Sequence, residues 1–113
     1  MTELDAQDAK LVTLARASMA RIGADQGAAV RDADGRSYAA GPVALPSLAI
    51  GALDLAVAQA VSAGATRLEA AAIVTRAGED AEAGLAAVRE VGGEGLPVYV
   101  ANPQGDVIKV LTT

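Results

Sequence analysis

The stretch Gly27-Ala28-Ala29-Val30-Arg31-Asp32-Ala33-Asp34-Gly35-Arg36-Ser37-Tyr38-Ala39-Ala40 decides the reading of this chain. Two short runs, Gly27 to Arg31 and Arg36 to Ala40, flank an Asp-Gly pair, the dipeptide that turns a tight β-hairpin. Gly41-Pro42 ends the hairpin, and Pro46-Ser47 sets up a helix start with Ser47 as its N-cap. From Leu48 to Gly64 the chain is nearly all apolar or small, broken only by Asp54, Gln59 and Ser62. A helix apolar on most sides is buried on most sides. Ala52, Ala56 and Ala60 recur every four residues with Gly64 next in line, a low ridge that another helix or a sheet can approach closely.

Working outward, Leu4, Leu11, Leu14, Ala15, Ser18 and Ile22 form a 3.6-residue stripe, so a helix is predicted from about Asp5 to Ile22. Thr2 with Asp5 resembles a capping box, and Gly23 is a natural stop. On the other side, Leu68 to Thr75 reads as a central strand. Glu79 to Val91 reads as a short helix whose acidic first turn (Glu79, Asp80, Glu82) suits the helix dipole. Gly92-Gly93-Glu94-Gly95 stops it. Pro97 to Val100 and Asp106 to Val110 read as strands joined by an Asn102-Pro103-Gln104-Gly105 turn. The order α-β-β-α-β-α-β-β predicts an α/β layered sandwich with a mixed sheet, in one domain spanning 1–113.

The composition removes whole classes of chemistry. Of 113 residues none is His, Cys, Trp or Phe, and two are Tyr. Zinc sites built on His and Cys, thiol or imidazole catalysis and disulfides are therefore excluded. Alanine supplies about a quarter of the chain, and the 52% hydrophobic fraction argues against disorder. A net charge of −5 with scattered basic residues disfavours nucleic acid and anionic membranes as partners. The acidic start Met1-Thr2-Glu3-Leu4-Asp5 is unlike a secretory leader, and no apolar run is long enough for a membrane helix. Without disulfides the default compartment is the cytoplasm.

Other candidate sites have plainer explanations. Glu79, Asp80 and Glu82 could hold a metal or act as an acid–base pair, but they fit a dipole-compensating helix start. Asp32 and Asp34 fit a hairpin turn better than a cation loop. The glycines at 92–95 follow a helix instead of preceding one and carry an acid, which is wrong for phosphate. Ser47 and Thr75 lack a partner base of the usual kind. Tyr38 and Tyr99 could stack a nucleobase, yet half-buried packing explains them.

Several of these words, in this order, resemble the small cytidine deaminases. The resemblance rests on Gly27-Ala28-Ala29-Val30, Asp34-Gly35-Arg36, Tyr38-Ala39-Ala40-Gly41, Ile50-Gly51-Ala52-Leu53-Asp54-Leu55-Ala56, Ala60-Val61-Ser62-Ala63-Gly64 and Pro97-Val98-Tyr99-Val100-Ala101-Asn102-Pro103-Gln104-Gly105. It implies a three-layer α/β/α sandwich and a homo-oligomer. In that family zinc activates a water and a carboxylate shuttles its protons onto the pyrimidine. The resemblance puts the first zinc ligand on Gly51, the catalytic Glu on Leu53 and the other two ligands on Leu85 and Val88. The family's ribose-gripping residues fall in the shortened stretch Pro42 to Pro46, where neither remains.

Four chemical positions have thus become Gly, Leu, Leu and Val, and apolar side chains filling such a space would each stabilise by roughly 1.5–3 kcal/mol. The expectation is a catalytically inactive relative, a pseudoenzyme with no cofactor and no metal, serving as an interaction, scaffolding or regulatory protein. It would work as a homo-oligomer, dimer or tetramer, with a further protein partner open. The alternative is a small-ligand, nucleoside-like binding module using a remnant pocket. Ala52, Asp54, Ala56 and Ala60 are the expected interface residues. Asp54, the one charge in its apolar helix, could face solvent, pair with Arg89 or join a contact between subunits.

Overall fold

Helix α1 (Ala6–Ile22) starts where an aspartate can cap it. In a computed structural model, which describes residues 4–76 and 83–113, the Asp5 carboxylate accepts the Asp8 backbone N–H at 2.8 Å. Thr2 of the expected capping box lies outside the described residues. At the far end Gly23 adopts φ 62°, a left-handed stop that costs glycine little.

The Asp-Gly hairpin forms as expected, from β1 (Gln26–Asp32) and β2 (Ser37–Ala40), with Val30 opposite Tyr38. Asp32 organises the turn: its Oδ1 accepts the N–H groups of Asp34 and Arg36, each at 2.9 Å, and its Oδ2 accepts the Tyr38 hydroxyl at 2.9 Å.

The next segment differs from expectation. Instead of a helix starting near Ser47, β3 (Val43–Leu45) and β4 (Leu48–Ile50) form a second small hairpin with Leu45 opposite Leu48. Pro46-Ser47 is its two-residue turn, where proline's fixed φ suits the bend, so Ser47 caps no helix. Helix α2 (Ala52–Ser62) begins only after this hairpin, with Gly51 at its N-cap.

Strand β5 (Leu68–Thr75), helix α3 (Leu85–Gly92) and strands β6 (Pro97–Ala101) and β7 (Val107–Thr112) follow. The Gly92–Gly95 run stops α3 near the expected place. The helix expected from Glu79 starts only at Leu85, behind a left-handed N-cap at Gly84, and its first turn carries no acid; Glu79, Asp80 and Glu82, expected there, lie outside the described residues. The main sheet has the order β2-β1-β5-β6-β7, so β5 is central, antiparallel to β1 and parallel to β6.

Alternation along the strands sorts the side chains into two cores. Ala29, Ala70, Ala72, Val74 and Tyr99 face α1 and pack with its Leu11, Val12, Ala15 and Met19. Ala28, Val30, Ala71 and Val98 face α2 and α3. Among the described residues the result is an α/β/α sandwich of three helices on a mixed five-stranded sheet. Alanines and glycines thin the layers; a side chain on Gly27 would collide with the Ala15 carbonyl of α1.

The α1 layer contains a buried polar network. Asp8 accepts from Arg31 Nη1 at 2.9 Å and from the Tyr99 hydroxyl at 2.6 Å. Among the described residues Arg31 Nε is buried with no hydrogen-bond partner, and the Glu69 carboxylate lies 3.9 Å from it. No helix among the described residues is long and apolar enough to cross a membrane.

Candidate functional site

The N-termini of α2 and α3 meet on one face of the sheet, and their first turns carry the four singled-out positions. Gly51 is the N-cap of α2, with extended backbone and no side-chain cap of its own. Its place is taken by Gln26 from β1, whose Oε1 accepts the Ala52 N–H at 3.2 Å. Leu53 points inward and is only 1% exposed.

Helix α3 arrives against that leucine. Its N-cap, Gly84, has φ 95°, and a Cβ built there would fall 2.8 Å from Leu53 Cβ. Glycine is therefore required at 84 by conformation and by space. Val88, one turn into α3, is fully buried, and Leu85 is partly buried against the same cluster. Leu53, Leu85 and Val88 come together in one apolar core with Ala28, Val30 and Ala56, while Gly51 stays exposed at its rim.

Ala52, Ala56 and Ala60, expected at an interface, are all fully buried. The low ridge meets the chain's own sheet, leaving those residues unavailable to a second subunit. Asp54 is exposed, and it is not paired with Arg89: the ion pairs among described residues are Arg31–Asp8, Arg31–Glu69 and Arg76–Asp25. The two tyrosine hydroxyls are held by Asp32 and Asp8.

Those two contacts also set the local proton affinities. Burial, then the hydrogen bond to the Asp8 carboxylate, push the Tyr99 phenol up to about 12. Tyr38 is raised as well, first by its hydrogen bond to Asp32 and then by burial. Burial works to raise the Asp32 carboxyl, but the Arg36 N–H, the Tyr38 hydroxyl and the Asp34 N–H together bring it below the usual range.

The match to known proteins covers this whole arrangement: the model of the cytidine deaminase-like family fits residues 4–105. The chain belongs to that family. Among solved structures it is similar to the cytidine deaminase from Burkholderia pseudomallei, with a TM-score of 0.69 and 25% identity over 99% of this chain and 93% of that one. A mutant cytidine deaminase from Mycobacterium tuberculosis gives 0.62 and 26% over 85% of each chain. The cytidine deaminase from Mycobacterium leprae shares the fold, at 0.64 and 20% identity over 97% of this chain and 94% of that one. No curated protein sequence matches the chain.

The zinc ion that the resemblance implies would need nitrogen, sulfur or oxygen ligands. The side chains of Gly51, Leu53, Leu85 and Val88 supply none, so these residues do not fit the metal. Among the described residues no cluster of three or more His, Cys, Asp or Glu is placed to hold one elsewhere.

Sequence reasoning missed three features, two beside the site and one in the opposite layer. The Gln26 cap joins residues 26 apart, and the Asp8–Tyr99 bond joins residues 91 apart; neither leaves a local pattern. The β3–β4 hairpin did leave one, in Pro46-Ser47 between two short apolar runs, but the run also suits a helix.

Proposed function

We propose that this chain is a catalytically inactive member of the cytidine deaminase-like family, acting as a homo-oligomeric interaction, scaffolding or regulatory protein. The observation that carries the reading is Leu53, at 1% exposure, wedged against Gly84 where the resemblance puts the catalytic carboxylate. An aliphatic side chain there can neither move a proton nor polarise a water. The neighbouring Leu85 and Val88 extend the same apolar surface.

A remnant nucleoside-binding pocket would need polar groups converging on this spot. Gln26, the polar side chain at the start of α2, is already spent on the Ala52 N–H. That favours the interaction reading over a ligand-binding module.

The test is direct. Purified protein is incubated with cytidine or deoxycytidine, with and without added zinc, and formation of the uracil nucleoside is followed by absorbance and mass. The expected result is no conversion above a protein-free control. Conversion that scales with protein concentration would overturn the reading.

A further inference from the structure

We infer that Glu69 is a strap that closes on Arg31 from the surface and so holds α1 to the sheet.

Strand register places it there. Between β1 and β5, Arg31 lies opposite Ala70 and Asp32 opposite Leu68, which leaves Glu69 as the extra residue of a β-bulge. An extra residue breaks the two-residue alternation of side chains and re-aims those beside it. The break shows in the two cores: Leu68 packs in the α2 layer, whereas Ala70, two residues on, packs in the α1 layer. Glu69 sits at this crossover, and its carboxylate comes within 3.9 Å of Arg31 Nε.

Arg31 is a joint with one donor unused. Among the described residues, the side-chain hydrogen bonds between α1 and the sheet both end on Asp8, one from Arg31 Nη1 at 2.9 Å and one from the Tyr99 hydroxyl at 2.6 Å. Each Asp8 oxygen thus has a donor of its own. Arg31 Nε is buried with no partner among the described residues, and a buried donor left unmade is costly. At 3.9 Å Glu69 forms an ion pair there without a hydrogen bond. The Glu69 side chain is 45% exposed against 10% for Arg31, so it is the half of the pair with room to move. An approach of about 1 Å brings its carboxylate to charge-assisted hydrogen-bond distance.

Closure gathers four elements on one guanidinium: β1 through Arg31 itself, β5 through Glu69, and α1 and β6 through Asp8 and Tyr99. The strap is at the surface while the joint is buried. A group that captures Glu69 from solvent therefore weakens the hold on α1, on the opposite face of the sheet from Leu53.

The test is native-state hydrogen exchange by NMR on wild type, Glu69→Ala and Glu69→Gln, with Glu90→Gln as an exposed acid elsewhere. In Glu69→Ala the amides of α1 are expected to exchange about tenfold faster than in wild type while those of α2 keep their rates. Glu69→Gln retains an accepting oxygen and is expected to fall between, and Glu90→Gln to match wild type. Unchanged α1 rates in Glu69→Ala, or equal acceleration in α1 and α2, would overturn the proposal. A further reading needs no variant: in wild type the Arg31 Nε–H is expected to exchange slowly and to show a coupling across the hydrogen bond to the Glu69 carboxyl carbon. A proton in rapid exchange with water there would overturn the proposal as well.

Discussion

The Cβ of Leu53 lies 2.8 Å from where a side chain on Gly84 would begin, so the starts of α2 and α3 touch through one leucine and one glycine. The pair couples the two helices that carry the candidate site. Gly84→Ala must relieve that overlap and also hold φ 95°, and is expected to destabilise by about 1–3 kcal/mol. Leu53→Ala opens a cavity worth about 2–5 kcal/mol. In the double variant the leucine's Cγ and Cδ2, 3.0 and 3.1 Å from the new Cβ, are gone while its Cβ at 2.8 Å stays, so the alanine at 84 gains part of the room it needs and the combined loss should fall short of the sum by about 0.5 kcal/mol or more. Denaturant melts of the four proteins measure this; strict additivity would mean the contact is not made.

Leu53→Glu places a carboxylate where the resemblance puts the family's proton shuttle, among the apolar side chains of Ala28, Val30, Leu85 and Val88. An unpaired charge in that apolar cluster should cost about 3 kcal/mol or more, or stay protonated at neutral pH. Leu53→Met, matched in volume, should cost under about 1.5 kcal/mol. Chemical denaturation separates the two, and a glutamate variant as stable as wild type would show that residue 53 faces water.

On the opposite face, Asp8→Ala removes the acceptor of both Arg31 and Tyr99. Among the described residues Arg31 would retain only Glu69, 3.9 Å from its Nε. Breaking a buried pair this way typically costs about 3–5 kcal/mol. Adding Arg31→Met to Asp8→Ala should recover part of that loss, because the stranded charge is then gone. A double variant less stable than Asp8→Ala alone would contradict this account of the network.

Tyr99 makes stability depend on alkaline pH. Its folded pKa, about 12, lies above the ordinary ~10 of an unfolded tyrosine. Its contribution is therefore fully present below about pH 10 and is lost as pH climbs from about 10 to about 12. Tyr38 is raised too, so spectrophotometric titration of the native protein should show neither phenol ionising at the ordinary value. Tyr99→Phe should flatten the alkaline loss. Asp32 acts at the other end: its lowered pKa gives stability present above the ordinary carboxylate range and lost as pH falls through the folded value.

The fold was legible wherever local signals agreed with the final packing. The Asp-Gly turn, the stripe from Leu4 to Ile22, the apolar run at 68–75 and the Asn102–Gly105 turn each specify an element without outside help. The β3–β4 hairpin was not legible, because Leu48-Ala49-Ile50 continues the apolar pattern of α2 and periodicity cannot tell a short buried-looking strand from a helix start. The ridge Ala52-Ala56-Ala60 marks a close-approach surface in the sequence and is one in the fold, but a sequence does not say whether the approaching surface is its own sheet or another chain. The apolar character of Leu53, Leu85 and Val88 was visible at once, whereas their meeting in one cluster depends on Gly84 bringing α3 against α2. The Asp8–Arg31–Tyr99 network spans the chain end to end and could not be read from spacing.

Native mass spectrometry of the protein, purified and then incubated with zinc and a cytidine analogue, tests the central claim most directly. The account predicts a dimer or tetramer whose mass equals that of its chains, unchanged by either addition. One zinc or one nucleoside per chain would contradict it, because the space around Leu53 would then be an open site and not a filled one.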